Sequence, residues 1–402
     1  MGAPVYLDNH ATTRIDPRVL DAMLPFLGDQ YGNAASRSHE FGWNAAAAVS
    51  VARVRIARLI GAEGDEIVFT SGATESINLA LKGVAEAAYS RARGPEYHII
   101  TAATEHRAVL DTCARLERAG FRVTVLPVDG YGLVSPDAVA RAITDNTVLV
   151  SIMWANNEVG TIAPMAAIAQ ACRSRGVMLH SDAAQAVGKI PVDMRQIPVD
   201  LLSFSAHKMY GPKGIGALYV RKRQPAIRLE AQIDGGGHES GLRSGTLNVP
   251  AIVGFGTAAA ICSAELAEDG RRTVELRDLL VEGIRRRMPE IVINGHPENR
   301  LKHNASITIP GFRAEAIMRN MKDIAVSSGS ACSSAQPGPS HVLQALGVSP
   351  ELAAGTLRFG LSRFTTREEI DHTILRVADA VTALHNHELG TYHESTRVSS
   401  GA

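Results

Sequence analysis

Five short polar clusters in the sequence each follow an apolar run that predicts a β-strand. The clusters are Ser71–Thr74, Thr104–His106, Asn156–Glu158, Asp182–Gln185 and Ala206–Lys208. Because ligands bind beyond the carboxyl ends of the strands in an open α/β sheet, we expect these clusters to meet at one edge. Taken singly, each has an ordinary explanation, such as a helix cap, a turn or a solvated side chain. Taken together, they bring hydroxyls, an imidazole, amides, a carboxylate and a lysine to one place.

That set of groups suits pyridoxal phosphate, which needs a lysine for its Schiff base, a carboxylate for its ring nitrogen and a cradle for its phosphate. The helix predicted after Ser71–Thr74 would offer N–H groups and hydroxyls to a phosphate, although capping is the commoner reason for this segment taken alone. Lys208 is the better lysine candidate because it follows a buried strand, beside Ser205 and His207. Lys213 is the competitor, but it lies in a Gly-Pro-Lys-Gly turn farther from the strand.

The four cysteines fall into two groups. Cys113, Cys172 and Cys262 lie in helical or alanine-rich patterns, where a free cysteine usually behaves as a small buried hydrophobe. Cys332 lies in the run Ser327–Ser334, which has no helical periodicity and no apolar bulk, so we expect an accessible thiol there. No two cysteines form a CxxC pair, and the spacing predicts neither a disulfide framework nor a zinc site.

Length and composition exclude several other classes of protein. The chain has 402 residues, 45% of them hydrophobic, with 41 basic and 41 acidic residues. This balance argues against disorder and against direct nucleic-acid binding, which needs a basic excess. The charge-free stretch 244–264 contains Asn248 and Pro250, so it predicts a loop leading into a buried helix rather than a membrane span. Without a signal-peptide pattern, we expect a cytoplasmic protein.

Alternating helix and strand patterns between residues 43 and 220 predict an α/β domain with a largely parallel, seven-stranded sheet. The predicted strands lie near residues 66–70, 97–101, 122–125, 147–153, 177–181, 201–205 and 215–220. After about residue 265 the pattern changes to a smaller α+β domain that ends in a helix over 370–384. We therefore expect a large domain at 15–262 and a small domain formed by 1–14 and 263–388. The polar tail 389–402 is predicted to be disordered.

Several motifs resemble those of the NifS/IscS-type cysteine desulfurases, which are fold-type I pyridoxal-phosphate enzymes of the class-V aminotransferase family. The motifs are Tyr6–Asp8 with Ala11–Thr13, Gly32–Asn33, Thr70–Glu75, Thr104–His106, Asp182–Gln185, Ser203–Lys208, Arg243–Thr246 and Ser327–Cys332. The resemblance runs in order from about residue 5 to about residue 385, and it is specific because the lysine motif and the cysteine run occur together.

The resemblance implies roles for the groups around the cofactor ring. Lys208 would bind the cofactor covalently, Asp182 would pair with its ring nitrogen and Gln185 would hydrogen-bond its phenolic oxygen. His106 would stack on the ring and act as acid and base, and Asn157 would contact the cofactor or the substrate.

The resemblance also implies which groups bind the cofactor phosphate and the substrate carboxylate. The phosphate would be held by Ala73, Thr74, Ser205 and His207. Thr246 would reach the phosphate in a partner subunit, which implies a homodimer. Arg358 would clamp the substrate carboxylate, since a guanidinium grips a carboxylate with two parallel hydrogen bonds.

The implied reaction removes sulfur from L-cysteine, releases alanine and leaves a persulfide on Cys332 for a protein acceptor such as an iron–sulfur scaffold. A selenocysteine lyase, another class-V aminotransferase-like enzyme and a non-catalytic cofactor-binding scaffold are the alternatives. Asn9–His10 and Trp154–Ala155 depart from the family pattern, and we expect them to touch no residue with an assigned role. The residues after Leu389 do not resemble a scaffold-docking tail.

Overall fold

The computed structural model describes residues 4–91, 96–328 and 340–399, the last range without side chains beyond residue 386. The strands are β1 (Val5–Tyr6), β2 (Ile67–Thr70), β3 (His98–Ala102), β4 (Arg122–Leu126), β5 (Thr147–Ser151), β6 (Met178–Asp182), β7 (Leu201–Ser205), β8 (Gly216–Val220), β9 (Val292–Ile293), β10 (Asn304–Thr308), β11 (Ile324–Ala325), β12 (Ser327–Ser328) and β13 (Thr356–Gly360). The helices are α1 (Pro17–Leu27), α2 (Glu40–Leu59), α3 (Ala73–Arg91), α4 (Arg107–Arg118), α5 (Pro136–Ala142), α6 (Met165–Ser174), α7 (Val249–Arg285), α8 (Ala314–Asn320), α9 (His341–Ala345), α10 (Pro350–Ala354) and α11 (Arg367–Ser399).

The central sheet has seven strands in the order β2-β8-β7-β6-β5-β3-β4. Only β8 runs against its neighbours, so the sheet is mostly parallel, as the alternating pattern predicts. Strands β2, β3 and β7 are buried along their whole length, which fits sheets covered by helices on both faces. Because the six parallel strands point the same way, the polar clusters that follow five of them share one edge of the sheet.

A second sheet holds the antiparallel strands β12-β13-β10-β9, and a parallel pair joins β1 to β11. Residues of these strands, together with Leu7 directly after β1 and Ile374 of α11, form a separate hydrophobic cluster that includes Ile307 and Phe359. A larger cluster packs against the central sheet. The amino-terminal strand therefore belongs with the carboxy-terminal part of the chain.

Helix α7 connects the two hydrophobic clusters. Ile252 and Phe255, near its start, lie in the larger cluster, whereas Leu280 and Ile284, near its end, lie in the smaller one. It is long and apolar enough to cross a membrane by length and composition, but half of its most apolar stretch is buried inside the fold. Its two ends pack as parts of the protein core.

Helix α11 continues to Ser399, whereas the sequence predicts a disordered tail from residue 389. Once a helix is nucleated, each added residue gains a backbone hydrogen bond, so a polar segment can extend it. The polar composition of residues 389–402 does not show that the helix predicted over 370–384 continues into them.

Candidate active site

A cavity of about 500 Å³ opens at the carboxyl edge of the central sheet. Nine of the residues predicted from the sequence line it, namely Ala73, Thr74, His106, Asn157, Asp182, Gln185, Ser205, His207 and Lys208. A larger groove of about 1280 Å³ lies beside α2 and the end of β8, and it contains none of these residues. Size alone therefore does not mark the site; the convergence of strand ends does.

Lys208 and Asp182 are two of the charged residues that line the cavity. Lys208 lies three residues beyond the end of β7, and its Nζ donates to the backbone carbonyls of His10 and Ala11, the latter at 2.8 Å. Asp182 is the last residue of β6 and is 5% exposed. Burial raises the pKa of Asp182, while the nearby His106 and Lys208 oppose this rise. The two lysine contacts hold the amine at the amino-terminal segment, on the border of the cavity.

The start of α3 forms the anion-binding end of the cavity. Ala73 and Thr74 are the first two residues of this helix, so their N–H groups have no partner within it. Ser205 and His207 lie opposite, at the end of β7, and His207 Nδ1 is 3.2 Å from the Thr12 hydroxyl. Burial and the neighbouring lysines lower the pKa of His207 to about 4, so it stays neutral at physiological pH. The helix dipole, the N–H groups and the hydroxyls together favour the binding of a phosphate.

His106 caps helix α4 and faces the cavity. Its Nδ1 accepts a hydrogen bond from the backbone N–H of Ala108 at 3.1 Å, so the proton of the neutral ring is on Nε2. Behind it, the fully buried Glu105 accepts from the Met153 N–H at 2.6 Å. Burial raises the pKa of Glu105 well above its usual range, and its contact joins the ends of β3 and β5. The sequence analysis missed this contribution of Glu105, because nothing in the motif distinguishes it from a solvated carboxylate.

Arg358 lies behind the cavity and not on its wall. Its side chain is 2% exposed, and it forms a salt bridge of 2.9 Å with Asp8. It also donates to the Asn157 carbonyl and to the Ser327 hydroxyl, both at 3.1 Å. In this arrangement the guanidinium supports the segment that carries Asn157, and its role as a carboxylate clamp stays a prediction.

Two of the residues predicted from the sequence remain, Thr246 and Cys332. Thr246 is exposed and is not part of the cavity lining. Cys332 lies outside the described residues. On either side of it, Ser327 is held by Arg358, and Ser340 donates a hydrogen bond to the Glu158 carboxylate.

The expectation that Asn9–His10 and Trp154–Ala155 touch no assigned residue is wrong. His10 Nδ1 lies 3.1 Å from Gln185 Oε1, and the His10 carbonyl accepts from the Gln185 amide at 3.0 Å. Trp154 donates its backbone N–H to the Asp182 carbonyl at 2.9 Å, and Ala155 lines the cavity. The position of His10 next to the motif Ala11–Thr13 is the one sequence signal that could have found it.

The groups around this cavity fit pyridoxal phosphate. A buried carboxylate, a lysine amine and the N-terminus of a long helix open onto one space, which is the donor set that this cofactor requires. When bound, the cofactor supplies an electron sink for the carbanion of an amino-acid substrate. The mostly parallel seven-stranded sheet with this edge defines a fold-type I pyridoxal-phosphate enzyme.

Comparison with known proteins identifies the family of pyridoxal-phosphate enzymes to which the chain belongs. Residues 5–373 match the aminotransferase class-V family. A cysteine desulfurase IscS of Methylococcus capsulatus (strain ATCC 33009 / NCIMB 11132 / Bath) is 54% identical over 384 residues, covering 96% of this chain and 94% of the relative. A cysteine desulfurase IscS of Anaeromyxobacter sp. (strain Fw109-5) is 51% identical over the same shares of the two chains.

Solved structures agree with the sequence relatives. A NifS-like protein matches with a TM-score of 0.87 at 38% identity, covering 94% of this chain and 99% of its own. DndA from Streptomyces lividans matches with a TM-score of 0.76 at 39% identity, covering 89% of this chain and 99% of its own. The chain belongs to the class-V aminotransferase family, and within it the chain is a pyridoxal-phosphate-dependent cysteine desulfurase.

Proposed function

We propose that the chain removes sulfur from L-cysteine, carries it as a persulfide on Cys332 and passes it to an acceptor protein such as an iron–sulfur scaffold. The observation that carries this proposal is the anchoring of the two ends of the cysteine segment. Ser327 is bound by Arg358, which also holds the Asn157 carbonyl, and Ser340 is bound by Glu158. Both anchors lie at the Asn157–Glu158 segment, of which Asn157 lines the cavity.

In the proposed reaction the Cβ–S bond of cysteine breaks, and an S–S bond forms to the thiolate of Cys332. The carbon product takes up protons and leaves as L-alanine, so no external oxidant is needed. His106 would move a proton through Nε2, because its Nδ1 accepts from the Ala108 N–H. Cysteine suits the nucleophilic role because a thiolate is strongly nucleophilic even when only partly ionised.

We propose the remaining site roles on the same geometry. Lys208 would hold the cofactor, Asp182 would face its ring nitrogen and Gln185 its phenolic oxygen, with Asn157 beside the substrate. The phosphate would be bound by Ala73, Thr74, Ser205 and His207. The two hydrophobic clusters support a large cofactor domain at 15–262 and a small domain formed by 1–14 and 263–388.

The test replaces Cys332 with serine and measures alanine, sulfide and protein-bound persulfide by mass spectrometry. We expect Cys332→Ser to keep the visible absorbance of the bound cofactor and to lose sulfide release. Cys172→Ala is the matched control, because Cys172 is a buried thiol of α6, whose pKa is raised to about 12 by burial. Full desulfuration by Cys332→Ser would overturn the proposed mechanism.

A homodimer in which Thr246 serves the partner's cavity is part of the proposal. It is supported by the exposure of Thr246 and by its place outside the cavity of its own chain. Mixing Lys208→Ala with Thr246→Ala subunits tests it. If Thr246 acts across the interface, one cavity of the mixed dimer regains both native groups, and activity returns. If Thr246 acts within its own chain, no cavity is complete, and the mixture stays impaired.

We also propose a cytoplasmic location with no membrane or direct nucleic-acid partner. The balanced charge of the chain and the burial of α7 in the two cores support this. Fractionation of cells that express the full chain at its native level tests it, and recovery in the membrane fraction would contradict it.

A further inference from the structure

A continuous row of hydrogen-bonded, buried polar groups runs from the start of β10, in the second sheet, to the cofactor cavity. Its members are Arg300, Asn304, His10 and Gln185, of which Arg300, the most exposed, is 9% exposed. None of the first three belongs to the groups that the reaction requires. Because buried polar atoms are hydrogen-bonded with defined donors and acceptors, the direction of each bond in the row can be worked out.

The direction is fixed at the Arg300 end. A guanidinium only donates, so its Nη2 contact of 3.1 Å identifies the facing atom of Asn304 as the carbonyl Oδ1. The Asn304 Nδ2 then donates to the Glu158 carbonyl and to His10 Nε2, each at 3.1 Å. His10 Nε2 must therefore accept, and the proton of the ring lies on Nδ1.

The direction is fixed independently at the cavity end. The His10 carbonyl can only accept, so the Gln185 atom 3.0 Å from it is the amide nitrogen. Gln185 Oε1 then faces His10 Nδ1 at 3.1 Å, and this contact again requires the proton on Nδ1. Two separate arguments thus assign the same tautomer to His10. An imidazolium is excluded as well, since it would set an N–H of the ring against the N–H of Asn304.

The packing around His10 preserves this arrangement. The His303 ring stacks on the His10 ring with 4.8 Å between centroids. A methyl group on Gly360 would lie 2.7 Å from His10 Cδ2, and one on Gly160 would lie 2.5 Å from Asn304 Oδ1. Burial and the charges of Arg358, Lys208 and Lys189 lower the pKa of His10, so the ring stays neutral.

We propose that His10 is a positioning residue that transmits the hydrogen-bond direction set by Arg300 and Asn304 to Gln185. One N–H of the Gln185 amide is used by the His10 carbonyl. The relay keeps the amide from rotating, so the second N–H is presented to a ligand in the cavity. The inference rests on the proposed role of Gln185 as the donor to the phenolic oxygen of the cofactor.

The first test reads the tautomer directly in the unaltered holoenzyme. Nitrogen-15 NMR of labelled histidine, with His10 assigned by comparison with a His10→Phe variant, is expected to show a protonated Nδ1 and an unprotonated Nε2. A proton on Nε2, or on both nitrogens at neutral pH, would overturn the relay. This measurement is made on the parent protein and does not depend on its activity; the His10→Phe variant serves only to assign the signal.

The second test is a pH titration of the visible absorbance of the holoenzyme. A donor to the phenolic oxygen stabilises its negative charge, so losing the donor raises the midpoint of the titration. We expect His10→Phe to raise it by roughly one pH unit and Gln185→Ala to raise it at least as much. His303→Phe is the matched control, because it makes the same change in the adjacent stacked ring without entering the relay, and it should keep the parental midpoint.

The variants separate the inference from the role on which it rests. A shift in Gln185→Ala with none in His10→Phe would overturn the relay and leave the role of Gln185 intact. No shift in Gln185→Ala would overturn the role of Gln185, and with it the effect of the relay on the cofactor. Equal shifts in His10→Phe and His303→Phe would show a packing effect and would also overturn the relay.

Discussion

Ser340 donates a hydrogen bond from its hydroxyl to the buried carboxylate of Glu158, 182 positions earlier in the chain. The same serine caps helix α9, since its Oγ accepts from the Leu343 N–H at 3.2 Å. The contact joins the residue that follows the cysteine segment to the loop that carries Asn157. Glu158 is 4% exposed, so the hydroxyl replaces water as its partner.

Removing this hydroxyl should cost more than removing an ordinary helix cap. Ser340→Ala loses a cap worth about 1 kcal/mol and leaves the Glu158 carboxylate short of a partner, which costs about 1–3 kcal/mol more. Ser349 is the matched control, because it caps α10 through the Leu352 N–H at 3.4 Å and makes no hydrogen bond to Glu158 within the described part of the chain. Chemical denaturation should show a loss of about 1 kcal/mol for Ser349→Ala. Equal losses in the two variants would show that the Glu158 contact adds no stability.

The stability of the protein should fall with pH because of Glu158. Burial raises the pKa of this carboxyl from 4.5 to about 7 in the folded protein. The folded state then holds a proton that the unfolded state has released. The contribution is therefore complete below about pH 4.5 and is lost as the pH rises through 7.

We expect Glu158→Gln to remove a stability difference of about 3 kcal/mol between pH 4.5 and pH 7.5, because an amide does not titrate. Denaturant unfolding at a series of pH values measures it. Glu290→Gln, at an exposed carboxylate, should keep the slope of the parent protein. A Glu158→Gln protein with the parental slope would show that Glu158 is not the titrating group.

Asp182→Asn should abolish most of the activity while the cofactor stays bound. An amide cannot keep a ring nitrogen protonated, so we expect kcat to fall by about 10²–10³-fold while cofactor absorbance is retained. Asp200→Asn is the matched control, since Asp200 is also buried in the sheet but binds the Leu179 N–H, away from the cavity. Steady-state alanine production compares the two, and near-normal kcat in Asp182→Asn would refute the role given to this carboxylate.

Gly360→Ala should disturb the packing of His10. The added methyl group would meet His10 Cδ2 at 2.7 Å and the His10 backbone nitrogen at 2.8 Å, and overpacking of this kind costs about 1–3 kcal/mol. Gly130→Ala, whose methyl group would have its nearest neighbour at 3.9 Å, should change stability little. Thermal unfolding measures the stability of the two variants. An unchanged unfolding temperature for Gly360→Ala would mean that β13 shifts to accommodate the methyl group.

The sequence predicts those parts of the site that depend on local order along the chain. Each strand and the polar cluster after it can be recognised together, so Asp182, Gln185 and Lys208 follow from the alternation of helix and strand. Their meeting at one edge follows from the parallel sheet. These features require only short-range patterns and one rule of topology.

The missed contacts join residues that are distant in sequence. His10 is 175 positions from Gln185 and 294 from Asn304, and local patterns do not specify which of many buried polar groups will meet. The place of Arg358 depends likewise on the register of β12 and β13, which sets Ser327 opposite Arg358. Physical reasoning from the sequence therefore predicts the residue types of the cavity but not the buried polar groups behind them that orient them.

Helix α7 has a consequence for how the chain can be divided. It spans 37 residues, about 55 Å of continuous helix, and the boundary predicted at residue 262 falls within it. A fragment cut there would end in half a helix whose apolar face has lost its continuation, and the other fragment would begin in the same condition. Strand β1 would remain in the amino-terminal fragment, whereas β11, with which it pairs, would be in the other fragment. We therefore expect that neither half folds by itself, and that the smallest piece that can be transplanted is one that keeps both ends of the chain together.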